Sequence, residues 1–183
     1  SQAISSSLRY FSLGNMIFTD IYNNPQGQYN PNEFALDFGY SRLFSDHFSG
    51  AITFRFIRSD FGKAFLSSGG EITRAGYSYA ADVAWYYNNS IDLGEKKGKI
   101  AFGMNISNIG SKLTYTDSRN KQFIPTNMRL GGSLKTFLDD YNTFSVNIDV
   151  NKLLVPTPPF MDSTGLNVRY GYSSDVPVLT GMY

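Results

Sequence analysis

The 183-residue chain has no cysteine, which excludes a disulfide framework and any thiolate metal site but leaves the compartment open. His47 is its only histidine. It sits beside Asp46 in a short polar segment, with no serine or carboxylate constellation to orient it as a catalytic base. One imidazole and scattered aspartates give no metal-ligand spacing. The polar segments Asn88-Asn89 and 117–120 lack the dense, spaced oxygen ligands of a calcium loop. No glycine-rich phosphate loop occurs. The expectation is a non-enzyme that carries no cofactor and no metal. Charge is also scarce. Charged residues make up 17 % of the chain, against about 25 % in an ordinary soluble domain. This deficit suggests a surface that does not all face water. The net charge of +1 offers no electrostatic case for nucleic acid or an anionic surface. No apolar run approaches the ~20 residues of a transmembrane helix. The first seven residues have no basic stretch followed by an apolar core, so they do not read as a signal peptide.

Aromatic side chains are abundant, at 16 % of the chain, with 15 Phe and 13 Tyr. They fall in a two-residue rhythm. In Phe144-Ser-Val-Asn-Ile-Asp-Val-Asn-Lys152, the residues Phe144, Val146, Ile148 and Val150 point one way, and Ser145, Asn147, Asp149 and Asn151 the other. The same pattern predicts about eight strands, over residues 8–20, 33–44, 48–59, 77–88, 99–109, 127–137, 144–152 and 166–172. Each is near the ~9–11 residues that cross an outer membrane at a tilt. Phe54, Phe102, Leu130 and Ile148 are expected on a lipid- or partner-facing side, and Arg55, Asn105, Arg129 and Asp149 on a lumenal side; Asp37 and Asp82 likewise fall opposite the apolar residues of their strands.

Connections alternate in length. Residues 45–47 and 139–142 are tight, and 89–98 is medium; the longer ones span 21–32, 60–76, 110–125 and 154–164. Transmembrane barrels sort short periplasmic turns from longer outer loops in this way, and a β-sandwich has no reason to. The polar positions are Gly, Ala, Ser, Asn and Asp with a few Arg. They are poor in the Lys and Glu of a water-facing surface. Aromatics gather near the short turns: Phe44 and Phe48 at one, Trp85, Tyr86 and Tyr87 approaching the next, and Phe137, Tyr141 and Phe144 at the third. The fold predicted is all-β, a transmembrane antiparallel up-and-down barrel forming a single domain over residues 1–183. A soluble β-sandwich adhesion module is the competing architecture.

Two loops are apolar and proline-bearing. One is Gln122-Phe-Ile-Pro-Thr126. The other, Leu153-Leu-Val-Pro-Thr-Pro-Pro-Phe-Met161, is stiffened by its prolines and carries no charge. Such loops either fold over their own barrel or meet a partner. Val155, Pro156, Pro158, Pro159, Phe160 and Met161 are the candidate partner-binding residues.

Five stretches carry a family resemblance. They are Leu8-Arg-Tyr-Phe-Ser-Leu-Gly-Asn15, Pro31-Asn-Glu-Phe-Ala-Leu-Asp-Phe-Gly-Tyr40, Asn105-Ile-Ser-Asn-Ile-Gly110, Phe123-Ile-Pro-Thr-Asn-Met-Arg-Leu-Gly131 and Asn151-Lys-Leu-Leu-Val-Pro-Thr-Pro-Pro159. Together, and in this order, they resemble PorV-type outer-membrane barrels of the type IX secretion system. Those barrels are similar in turn to the fatty-acid channel FadL. The resemblance implies a 14-stranded barrel, of which about eight strands are present here and the N-terminal part is missing. It implies docking on a large outer-membrane translocon barrel, capture of secreted proteins by their C-terminal signal domain, and delivery to a surface attachment complex. A FadL-type channel for hydrophobic compounds is the alternative, although no N-terminal hatch is visible in these residues.

Overall fold

The computed structural model describes residues 1–60, 74–94, 96–115, 121–157, 160–161, 168–171, 176–178 and 180, apart from the side chains of Phe18, Gln26, Met161 and Val168. The described residues form strands and no α-helix. Seven strands build one antiparallel sheet. In chain order along it they are β1 (Gln2–Ser12), β4 (Asn32–Ser45), β5 (Phe48–Asp60), β6 (Gly76–Leu93), β7 (Lys96–Gly110), β8 (Asn127–Phe137) and β9 (Thr143–Leu153). The sheet is not closed on itself; β1 and β9 are its edges. Two small hairpins stand apart: β2 (Met16–Thr19) with β3 (Pro25–Tyr29), and β10 (Phe160–Met161) with β11 (Val168–Tyr170).

Alternation explains the sheet. Register places Ile4, Tyr40, Ile52, Val83 and Ile106 in one row across it, and Met104, Leu130 and Val150 in another. The four residues expected on the apolar side, Phe54, Phe102, Leu130 and Ile148, do share one face. Arg55, Asn105, Arg129 and Asp149 share the other. Packing is inverted relative to a water-soluble sheet. Ile4 is 83 % exposed and Ile148 66 %. Buried residues lie on the polar face or in the loop that crosses it: Asp37, Ser59, Ser78, Ala80, Leu113, Ile124 and Thr126.

Several predicted boundaries are corrected. The first strand, expected over 8–20, begins at Gln2 and stops at Ser12. Gly14 adopts φ 73° there, and the chain turns off into β2. The supposed loop 21–32 holds β3. The medium connection expected over 89–98 is instead strand almost throughout. β6 runs to Leu93, β7 restarts at Lys96, and Gly94 at φ 68° supplies the reversal. Trp85, Tyr86 and Tyr87 therefore lie level with the 45–48 turn, not at a turn of their own. The eighth strand shrinks to Val168–Tyr170 and pairs with β10, outside the main sheet. Residues 166–167 and 172 of that prediction, most of the 60–76 loop, and the 117–120 segment lie outside the described residues.

Candidate functional site

The polar face of β4, β5 and β6 carries a charge ladder. Register sets Asp37 opposite Arg55. Arg55 Nε donates to Asp37 Oδ1 at 2.8 Å and Nη2 to Asp37 Oδ2 at 3.2 Å. The same guanidinium reaches Asp82 on β6, with Nη2 at 2.9 Å from Oδ2 and Nη1 at 3.3 Å from Oδ1. Nη1 also donates to Asn108 Oδ1. From β1, Arg9 Nη2 reaches Asp37 Oδ2 at 2.7 Å, and Ser7 Oγ reaches it at 3.3 Å. A planar guanidinium with five N–H groups can serve two carboxylates and an amide at once, which a lysine cannot. The three central side chains are largely buried, so these bonds form in a medium where charge is costly to leave alone.

Asn108 enters this cluster because β7 carries a bulge. Ala81 faces Ile109 and Val83 faces Ile106, so Ser107 and Asn108 together oppose Asp82. Asn108 takes φ 58°, a conformation asparagine tolerates better than most residues. Its N–H would otherwise lose its ladder bond, and Asp82 Oδ1 accepts it at 2.7 Å. The rest of Asn108 holds the β7–β8 connection. Its Nδ2 donates to the Pro125 carbonyl at 3.0 Å, and its carbonyl accepts from Thr126 Oγ1 at 2.7 Å. Leu154 N–H then donates to the Thr126 carbonyl at 2.8 Å.

The described parts of that connection, 111–115 and 121–126, form a strap over the polar face. Leu113 and Gln122 exchange backbone bonds of 2.8 Å in both directions, which makes the strap a small hairpin. Leu113 and Ile124 bury themselves with Ala80, and Tyr115 packs against them. Ser78 Oγ donates to the Ser111 carbonyl at 2.7 Å. Tyr115 OH donates to Ser59 Oγ at 2.9 Å, and Ser59 in turn donates to Glu33. Burial raises the Tyr115 phenol above its ordinary range and the Glu33 carboxylate adds to this, while the bond to Ser59 works the other way. Beside the strap an open cleft of about 280 Å³ is lined by Arg9, Phe11, Glu33, Ile57, Asn108 and Pro125, among others.

The short-turn end is simpler. His47 Nδ1 lies 3.0 Å from the Asn88 carbonyl, at the opposite end of the sheet from the strap. In the β8–β9 turn, Asp139 Oδ1 accepts the N–H groups of Tyr141 at 2.9 Å and Asn142 at 2.7 Å. The Asn142 side-chain amide and these backbone donors hold the Asp139 carboxyl below its usual range. Among the described residues no three His, Asp or Glu side chains gather as metal ligands would.

Of the candidate partner-binding residues, Val155 and Pro156 are half-buried, and Pro158 and Pro159 lie outside the described residues. Phe160 sits in β10, not at a bare loop tip. Its ring stacks on Tyr170 with centroids 4.9 Å apart and planes 6° from parallel, yet it stays 52 % exposed. Gln122–Thr126, the other apolar loop, folds over its own sheet. Sequence reasoning put Arg55, Asp37 and Asp82 on the polar face but did not single out Asn108, Thr126, Tyr115 or Ser59.

Each of the five stretches that carried the family resemblance supplies an atom to this cluster: Arg9, Asp37, Asn108, Pro125 with Thr126, and Leu154. No curated protein matches the chain. The family model for type IX secretion system protein PorV matches residues 1–160, and the chain therefore belongs to the PorV family, a component of the type IX protein secretion system.

Proposed function

We propose that this sheet is part of the wall of an outer-membrane β-barrel that serves type IX secretion as a non-enzymatic carrier. In this reading it docks on the large translocon barrel, receives cargo through the cargo's C-terminal signal domain, and passes it to the surface attachment complex. One observation carries the membrane part: the apolar face is bare while the polar face holds the buried charge cluster. Water would penalise the first and a lipid-facing side the second. Among the described residues no second sheet covers the apolar face, as a β-sandwich would require.

Aromatic rings support the same reading. One group on the apolar side joins Phe34, Phe56, Tyr77 and Tyr79, with Phe56 5.4 Å from Tyr79 and 5.8 Å from Phe34. Another joins Phe44, Phe48 and Trp85, with Phe48 5.8 Å from Phe44 and 6.2 Å from Trp85. The step from Tyr77 to Tyr87 along β6 covers roughly 33 Å of strand, or about 25 Å of height at a ~40° tilt. That height matches the apolar band of an outer-membrane barrel. Sheet ends also differ as a barrel's do, with tight reversals at one and the strap and longer connections at the other.

The test uses the full-length protein in mild detergent. Heat-modifiable gel mobility together with co-purification of a very large partner barrel is the expected result. Mobility unaffected by heating would remove the barrel. Bound fatty acid with no partner barrel would favour the FadL-type channel.

A further inference from the structure

We infer that the 111–115 and 121–126 strap is a latched plug that closes the polar side of the wall, with Asn108 as its catch. The inference rests on the barrel reading, since only in a barrel is the polar face a passage. Beyond that reading, it assigns the passage a closed resting state and names the residue that holds it.

The strap is fitted to its seat in a way a casual surface loop is not. Its apolar residues enter a recess made by small residues of β6 and β7. A Cβ on Gly76 would lie 2.5 Å from Leu113 Cδ2 and 2.9 Å from Leu113 Cγ, so only glycine admits that leucine. A Cβ on Gly110 would collide with Ala80 and with the Tyr79 carbonyl. The most buried side chains here, Ser78 beneath the strap and Thr126 within it, are polar, yet no buried side-chain polar atom among the described residues lacks a partner. Full satisfaction of this kind fixes one arrangement, because shifting the strap would strand several groups at once.

Asn108 is the catch because, among the described residues, it alone joins the charge ladder to the strap. One side of its amide meets Arg55 and the other meets Pro125, while its carbonyl holds Thr126. Its bonds to the strap lie next to Leu154, at the start of the proline-bearing segment, whose N–H is tied to the Thr126 carbonyl. A pull on that segment would therefore be felt first at Thr126. The strap is hinged elsewhere: Tyr115 and Ser111 bond to β5 and β6, not to Asn108.

The experiment is ion conductance of the full-length protein in planar lipid bilayers, with heat-modifiable mobility scored on the same preparations. Asn108→Gly keeps the left-handed backbone and removes the amide. Losing the two side-chain hydrogen bonds, to Arg55 and to the Pro125 carbonyl, should raise the open fraction on the order of ten-fold over the parent. Ile124→Ala, which lies on the strap and leaves the sheet ladder intact, should open it too. Paired Gly76→Cys and Leu113→Cys, whose Cβ atoms would fall within disulfide reach, should abolish the opening caused by Asn108→Gly when oxidised and restore it on reduction. If Asn108→Gly and Ile124→Ala both insert, show heat-modifiable mobility and conduct no more than the parent, the plug is wrong and the barrel stands. If the parent itself is not heat-modifiable, the barrel reading fails and the plug falls with it.

Discussion

On one face of the sheet Ile148 leaves 66 % of its surface bare, while on the other Asp37 is covered to all but 8 %. In a soluble sheet these figures would be exchanged. The strands are the same and their period is the same; only the medium each face is built to meet differs. The apolar face has no tertiary partner among the described residues, so its side chains are held by their neighbours along and across strands. The polar face is held by directional bonds, and by a strap whose position depends on them. This molecule keeps its specificity where the charges are, and leaves burial of its apolar surface to something outside the sheet.

The heaviest blow to the polar face should come from Arg55→Met. It leaves Asp37 and Asp82 facing each other without their shared cation, and breaking a buried pair in this way costs roughly 3–5 kcal/mol. Urea unfolding of the full-length protein in lipid vesicles measures it, and a loss below about 1 kcal/mol would mean that the cluster is solvated. The apolar face is tested next. Ile148→Arg should cost about 2–4 kcal/mol near the bilayer midplane, with Asn147→Arg far milder. Equal tolerance at the two neighbouring positions would erase the distinction between the faces.

A third, smaller effect concerns what lies beyond the sheet. Phe160→Ala should weaken capture of the translocon by about 1–3 kcal/mol, as for an aromatic anchor, without changing heat-modifiable mobility. Unchanged capture would leave Phe160 as a packing partner of Tyr170 and nothing more. The smallest effects are those of pH. The Tyr115 phenol is raised in the folded protein, so its contribution to holding the strap is complete below its unfolded value near 10 and is lost as pH rises through the higher folded value. Phenolate absorbance should show a late-titrating component that disappears in Tyr115→Phe. Asp139 behaves in the opposite sense. Its lowered carboxyl supports the β8–β9 turn above the ordinary value of 3.8, and that support fades as pH falls through the folded value. The amide proton resonances of Tyr141 and Asn142 should shift together in that acid range.

How much of this was legible depended on the kind of residue. In β9 apolar and polar residues alternate without a slip, β5 and β8 keep the beat over most of their length, and the limits of all three were placed within about one residue. β1 was half missed because Ile4 stands between Gln2-Ala3 and a run of three serines, so the apolar beat is too sparse to register over 2–7. The length of β6 and β7 was missed because Asn88-Asn89-Ser90 and Lys96-Lys97 look like turn chemistry, and only their cross-strand pairing makes them strand. The charge ladder was half legible: the parity of Asp37, Arg55 and Asp82 put them on one side, but their contact needed the register. The strap was not legible. Ile124 and Leu113 could equally have faced outward, and what decides is the room left by Gly76 on a distant strand. Asn108 had one faint signal, an asparagine that breaks the alternation near the end of β7.

The bulge at Asn108 also has a genetic consequence. Everywhere else in β7, deleting one residue would throw all positions beyond the cut onto the wrong side, trading isoleucines for asparagines. Between Ile106 and Ile109 the strand holds one residue more than its neighbour β6, so a single-codon deletion there would restore even pairing and leave both sides correctly dressed. Such a deletion would keep the wall while removing the group that Arg55, Pro125 and Thr126 all hold. On the barrel reading, length variation at this one site would change whether the passage is shut without redesigning a strand.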